Sequence, residues 1–175
     1  MRARVWVVSA AVVMVGLGTS ASGATVAGTA LEETGGELGI SSATPGTGYW
    51  IACSGLRNIS SEPIDLIGAE VVGAPAHWRT GQVRAVDTRK AGAIALGVRD
   101  ETFAEEPGMA EDLSGQPLRV EPGEFSRFTY YLRVEAVSAP AAGRAEGCRV
   151  TYRQAHRVYV QDMALGFVLH AGVAD

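Results

Sequence analysis

Cysteine is scarce in this chain. Cys53 and Cys148 are the only two, and no Cys-x-x-Cys unit exists. Their separation argues against a cysteine metal clamp or a thioredoxin-type redox pair. Lysine is scarcer, with Lys90 alone, and the net charge is −4. No overall positive field is available to hold nucleic acid or an anionic membrane surface, which argues against both as partners of the folded domain. The arginines accompany abundant Ala, Gly and Val, as in GC-rich bacterial coding, so their number carries no recognition argument. His77, His156 and His170 are the only histidines, with no His-x-His or His-x-x-x-His spacing. A copper or zinc site would need them to converge in space, with Met109 or Met163 as soft ligands. Gly-x-Ser-x-Gly, phosphate-binding glycine loops and the Asp-x-Asp-x-Asp-Gly calcium pattern are all missing. No catalytic residue, metal ligand or cofactor is singled out.

Long apolar runs are also few. The strongest is Val5–Leu17, behind Arg2 and Arg4 and ahead of small residues. This is the layout of an export signal, expected over residues 1–24 with its boundary reaching to about residue 30. Cleavage after Ala21 or after Ala24 leaves a small residue, Thr19 or Ser22, at the −3 position. The alternative is an uncleaved anchor, in which case the protein meets a membrane there. The apolar core of the run is short of the roughly 20 residues that a crossing requires. Residues 31–48, rich in Gly, Ser, Thr and Glu, read as a flexible linker with room for a short edge strand. The folded domain is expected over 49–175.

What is present in that domain is alternation. In Phe128–Ala136, Phe128, Tyr130, Leu132, Val134 and Ala136 fall on one side of an extended chain. Thr129, Tyr131, Arg133 and Glu135 fall on the other. A strand sends successive side chains to opposite faces, so this is a strand with one core face and one wet face. Burying its four larger apolar side chains contributes roughly 1.5–3 kcal/mol each, before entropy is counted. Cys148–Gln154 alternates in the same way. Further strands are expected over Tyr49–Asn58, Ile64–Val72, 83–87, 93–98, 118–121, 158–160 and 164–170. The last is apolar almost throughout, as in a covered central strand. Asn58-Ile59-Ser60 matches a glycosylation acceptor but reads as turn chemistry in front of Pro63. Residues 100–117 read as a long acidic loop and 137–147 as a flexible connection.

Apolar residues at 47% against 19% charged are enough for a real core. Short strands with turns every eight to twelve residues, and no helical stripe longer than two turns, indicate an all-β fold. An immunoglobulin-like β-sandwich is the expectation, with a small β-barrel as the alternative. Behind an export signal, cysteines on the inward faces of two strands are expected to form one disulfide, Cys53–Cys148.

The acidic stretch 100–112 contrasts with arginines 127, 133, 144, 149, 153 and 157. Complementary surfaces of that kind attract a partner protein or another copy. Tyr131, Arg133 and Arg153 are the candidate binding anchors, since Tyr and Arg supply much of the energy at interfaces. The functional expectation is a secreted or cell-surface bacterial binding module, without catalysis, for a protein or cell-envelope component. An exported copper or zinc protein and a small secreted hydrolase using paired carboxylates are the alternatives.

Overall fold

The computed structural model describes residues 25–91, 95–106 and 108–172. The expected export signal, and part of the strand expected over 93–98, lie outside these residues. The described chain is all-β with two short helices. Its strands are β1 (Val26–Ala27), β2 (Gly36–Ala43), β3 (Gly48–Cys53), β4 (Ile64–Val72), β5 (Trp78–Asp87) and β6 (Gly97–Arg99). They continue with β7 (Leu118–Val120), β8 (Phe128–Ala136), β9 (Gly143–Ala145), β10 (Gly147–Gln154), β11 (Arg157–Met163) and β12 (Leu165–Ala171). Helix α1 (Thr88–Ala91) follows β5, and α2 (Asp100–Glu105) follows β6.

Three sheets result. One has the order β1-β11-β10-β4-β7, a second β2-β12-β9, and a third β5-β8-β3-β6. The alternation in β8 places Phe128, Tyr130, Leu132, Val134 and Ala136 in the main core, together with Ile51, Leu66, Val150 and Phe167. That core draws on all three sheets. Strands β9 and β10 are separated only by Glu146, and β11 and β12 only by Ala164. They pair as one long hairpin whose outer half joins β2 and whose inner half joins β4. A glycine is required at the bend between the halves, because a side chain on Gly147 would overlap the Met163 carbonyl.

The disulfide is formed. Cys53 and Cys148, both fully buried, join β3 to β10 with their α-carbons 6.3 Å apart. The bridge ties the four-stranded sheet to the five-stranded one across 95 residues of sequence. Among the described residues no helix is long and apolar enough to cross a membrane.

Four expectations need correction. The ordered body starts near Val26, not near Tyr49, and residues 31–48 are not a free linker. Leu31 is buried, its N–H donating to Gln161 Oε1 (3.0 Å) and its carbonyl accepting from Gln161 Nε2 (2.7 Å). The Tyr152 hydroxyl accepts the Ala30 N–H at 3.0 Å, which is possible because Gly28 leaves the ring room. Strand β2 then runs parallel to β12 and packs Leu38 and Ile40 against the core. Secondly, the connection 137–147 contains β9. Thirdly, the acidic loop contains α2. Fourthly, the second face of β8 is not wet, since Thr129 and Tyr131 are both buried. As expected from its composition, β12 lies between two neighbours, β2 and β9.

Asn58 is fully buried and knots the turn it was expected to make. Its Nδ2 donates to the carbonyls of Glu62 (2.9 Å) and Val120 (3.1 Å), and its Oδ1 accepts from Ser60 N–H and Oγ–H. Two measurements test the internal bonding. Replacing both cysteines with alanine should lower unfolding free energy by about 3–5 kcal/mol in denaturant melts, given the long loop closed. Asn58→Ala should cost about 2–4 kcal/mol, because buried carbonyls lose their donor, whereas Ser60→Ala should cost less than half as much.

Candidate functional site

Outside the main core, the neighbouring strands β5, β8 and β3 turn Val86, Tyr131, Trp50 and Ala52 to a common face. A six-residue helix cannot stand alone in water. Helix α2 is held because Phe103 and the following Met109 bury themselves on that face, at 2% and 1% exposure. The Phe103 ring stacks on Trp50 (centroids 4.7 Å, 23°) and meets the Tyr131 ring edge-on (5.1 Å, 69°). Burial, and secondarily the negative charge of Glu106, push the Tyr131 hydroxyl up to about 12. Tyr131 is a floor residue at 1% exposure and offers no contact surface to a partner.

Arg133, two residues along the same face, is the pin of the cover. Its Nε lies 3.0 Å from both Asp100 oxygens, and its Nη2 lies 2.7 Å from Asp100 Oδ2. Its Nη1 donates to Glu135 Oε2 at 2.9 Å, and Arg79 Nη1 takes the other Glu135 oxygen at 3.2 Å. The hydrogen bond to Asp100 is the main reason that the Arg133 guanidinium is held even more firmly protonated than usual. Asp100 is thus committed to Arg133, and Glu135 is shared between Arg133 and Arg79. Both carboxylates are engaged as hydrogen-bond acceptors of arginines, and paired-carboxylate hydrolysis finds no support in this arrangement.

Arg84 differs from its neighbours. Its guanidinium carbon sits 5.7 Å from the ring centres of both Trp50 and Phe103. Among the described residues it makes no ion pair and no side-chain hydrogen bond. It is half-buried, and it lines an open cleft of about 500 Å³ with Arg79, Gln82, Asp100, Arg133 and Glu135. The cleft therefore carries three guanidinium groups against two carboxylates. Favourable contact with two aromatic rings, and the nearby Asp112 charge, offset part of the cost of partly burying the cation there. What it can do chemically is receive a planar anion in its guanidinium fork.

The other candidate positions are dispersed. Arg153 lies on β10 in the five-stranded sheet, with its Nε buried and without a partner, so it does not share a face with Tyr131 and Arg133. Several other arginines are paired within the chain, Arg144 with Glu37 and Arg149 with Asp162 and Glu70. Among the described residues no group of three or more His, Cys, Asp or Glu could hold a metal ion. His77 contacts the Ala142 carbonyl at 3.2 Å, far in sequence from either of the other histidines. A larger cleft, about 610 Å³, lies by α1 and β7, but its four cations are each paired with a carboxylate. Sequence reasoning found Arg133 and missed Trp50, Arg84, Asp100 and Phe103. Phe103 and Met109, as isolated large apolar residues in an acidic stretch, were the available signal. No protein-family model matches the chain, and no curated protein or solved structure does either.

Asp112 fastens the far end of the cover, accepting the N–H groups of Ala85 (3.2 Å) and Ser114 (2.9 Å). Burial alone would raise its pKa, but the amide hydrogen bonds and the Arg84 charge outweigh it and hold the carboxyl below the usual range. A depressed folded-state pKa stabilises above the unfolded value, roughly 3.9, and that contribution fades as pH falls through the folded pKa. Asp112→Ala should therefore cost about 1 kcal/mol at pH 7. The gap between it and the parent protein in thermal melts should narrow as pH falls below the unfolded value and on through the lower folded one.

Proposed function

We propose that this chain is an exported binding module without catalytic activity, and that its cleft over β8 receives a partner at the cell surface or outside the cell. The single observation that carries the reading is Arg84, a half-buried cation on an aromatic floor, unpaired in a cleft whose other charges are matched. A guanidinium whose donors have no hydrogen-bonded partner presents a planar fork suited to recognising a carboxylate. Export is supported by the apolar N-terminal run in the sequence and by a buried disulfide, a bond that persists in oxidising compartments.

The body is read as an immunoglobulin-like sandwich. In that architecture strands B, E and D share one sheet, C, F and G share the other, and a disulfide links B to F. The order β3-β8-β5 with β4-β10-β11 reproduces that arrangement when β3 is taken as B and β10 as F. The Cys53–Cys148 bridge then falls where a B–F link belongs. The departures are a β4 without tryptophan and Glu146 in place of a tyrosine two residues before Cys148.

Photo-crosslinking in the producing cell tests the proposal. A photoreactive residue in place of Ala104, exposed on the cleft rim, should give a discrete adduct in the envelope or medium, and one in place of Arg157, exposed on β11, should not. Equal or absent labelling at the two positions removes the cleft as the binding site. Recovery of the chain only from the cytosol, with free thiols, removes export.

A further inference from the structure

We infer that the cleft takes a peptide carboxylate, with the peptide lying along the free edge of β5 and its acid group on Arg84. The inference rests on the reading of the cleft as a binding site and adds the chemistry of the occupant. Strand β5 is the edge of its sheet and is paired on one side only, to β8. At Ala85 the outward N–H and C=O are already taken, by Asp112 Oδ1 (3.2 Å) and by the Leu113 N–H (2.9 Å). Outward-pointing backbone groups recur at every second residue of an antiparallel strand. Val83 therefore presents its own pair outward, and among the described residues nothing is hydrogen-bonded to it on that side. An incoming strand can use those groups, which is how extended peptides dock on sheet edges.

The same geometry limits where the peptide can run. The register of β5 breaks between Arg79 and Gln82, around Gly81 at φ 114°, so the regular free edge is short. Past Val83 the way is closed by Asp112 and Leu113. A peptide on this edge must place a chain end, or the side chain opposite Arg84, beside that guanidinium. Gln82 and Arg84 project from the same face of β5, the face that lines the cleft.

Charge selects the group. Arg79 and Arg133 are hydrogen-bonded to Glu135 and Asp100, while among the described residues Arg84 meets the Asp112 charge only at a distance and makes no hydrogen bond or ion pair, so its fork of donors is open. A single carboxylate matches this and fits the guanidinium fork with two hydrogen bonds. A phosphate dianion brings a surplus charge close to two fixed carboxylates. A main-chain partner on β5 and a singly charged acid on Arg84 together describe a peptide bearing a C-terminal or side-chain carboxylate.

Titration of the full oxidised chain with three hexapeptides of alternating threonine and valine decides the matter, with tryptophan fluorescence as the readout. One peptide has a free C-terminal acid, one is amidated, and one is amidated but carries a central glutamate. Trp50→Phe identifies the Trp50 signal. Saturable binding is expected for at least one acid-bearing peptide, and the two together tell terminal from side-chain recognition. The neutral amide should bind about tenfold or more weaker, and Arg84→Gln should abolish that preference. Silence from both acid-bearing peptides, equal affinity for acid and amide, displacement by equimolar inorganic phosphate, or a preference that survives Arg84→Gln would each overturn the inference. The acid–amide comparison on the unaltered chain stands even if the variant folds poorly. Labelling at position 104 with silent peptides leaves the binding site intact and rejects only this occupant.

Discussion

Strand β8 must be covered on both faces, and most of what is distinctive here follows from that. One face belongs to the main core, where its alternating apolar residues meet those of the other sheets. The opposite face carries Thr129 and Tyr131, both buried, and then Arg133 and Glu135. Among the described residues no further sheet covers it. The chain uses a short helix and coil with two large apolar side chains, Phe103 and Met109, which exclude water from Tyr131 and Trp50. Because the cover is small, burial stops partway along β8. Arg133 then lies at the boundary, at 17% side-chain exposure, where an unpaired charge would be expensive. Asp100, in the first turn of α2, meets that need and fixes the helix in the same contact.

This explains why the cleft exists beside the cover and why its charges are arranged as they are. Arg133 is matched by geometry that the cover itself supplies, and Glu135 is shared between Arg133 and Arg79. Among the described residues Arg84 has the two rings and the more distant Asp112 charge, but no hydrogen-bonded carboxylate. A stability-driven choice for that position, beside two aromatic rings, would be an apolar side chain, or an arginine with a carboxylate within reach. Contact with the Trp50 and Phe103 rings restricts the motion of the guanidinium. Limited rotamer freedom lowers the entropy lost when an anion arrives.

The parts of the fold legible in the sequence are those governed by local period. The two-residue alternation of β8 and β10 and the turn chemistry around Asn58 depend on near neighbours, and the strands fell where the pattern placed them. The pairing of Cys53 with Cys148 followed from their inward positions. Strand β2 was legible only as room for a short edge strand, because glycine and serine dilute its alternation and its ladder is made with the distant parallel partner β12. The burial of Tyr131 was hidden for a similar reason. Nothing in Thr-Tyr-Arg-Glu reveals that Phe103, 28 positions earlier by numbering, will lie across it. The cleft depends on contacts among three strands and a helix, so single-residue chemistry identified Arg133 but not its setting. Arg153 shares its residue type and lies on another sheet.

Edge strands are the exposed liability of a fold of this kind, and the treatment of β5 bears on its use. A long flat edge invites pairing with other chains, and proteins blunt such edges with bulges, charges or covering loops. All three occur along β5. The register break at Gly81 twists one end, Asp112 and Leu113 close the other, and Arg79 and Arg84 carry charge along it. Protection of this completeness leaves an opening about three residues long, too short for stable self-association through backbone pairing alone. An opening of that size becomes selective when a side-chain contact must supply the remaining affinity. Among the described residues Arg84 is the cation at its border whose guanidinium makes no hydrogen bond. Edge protection and ligand selection are then one device. The features that keep another strand from zippering onto β5 are also those that make a single anionic contact decide which segment stays.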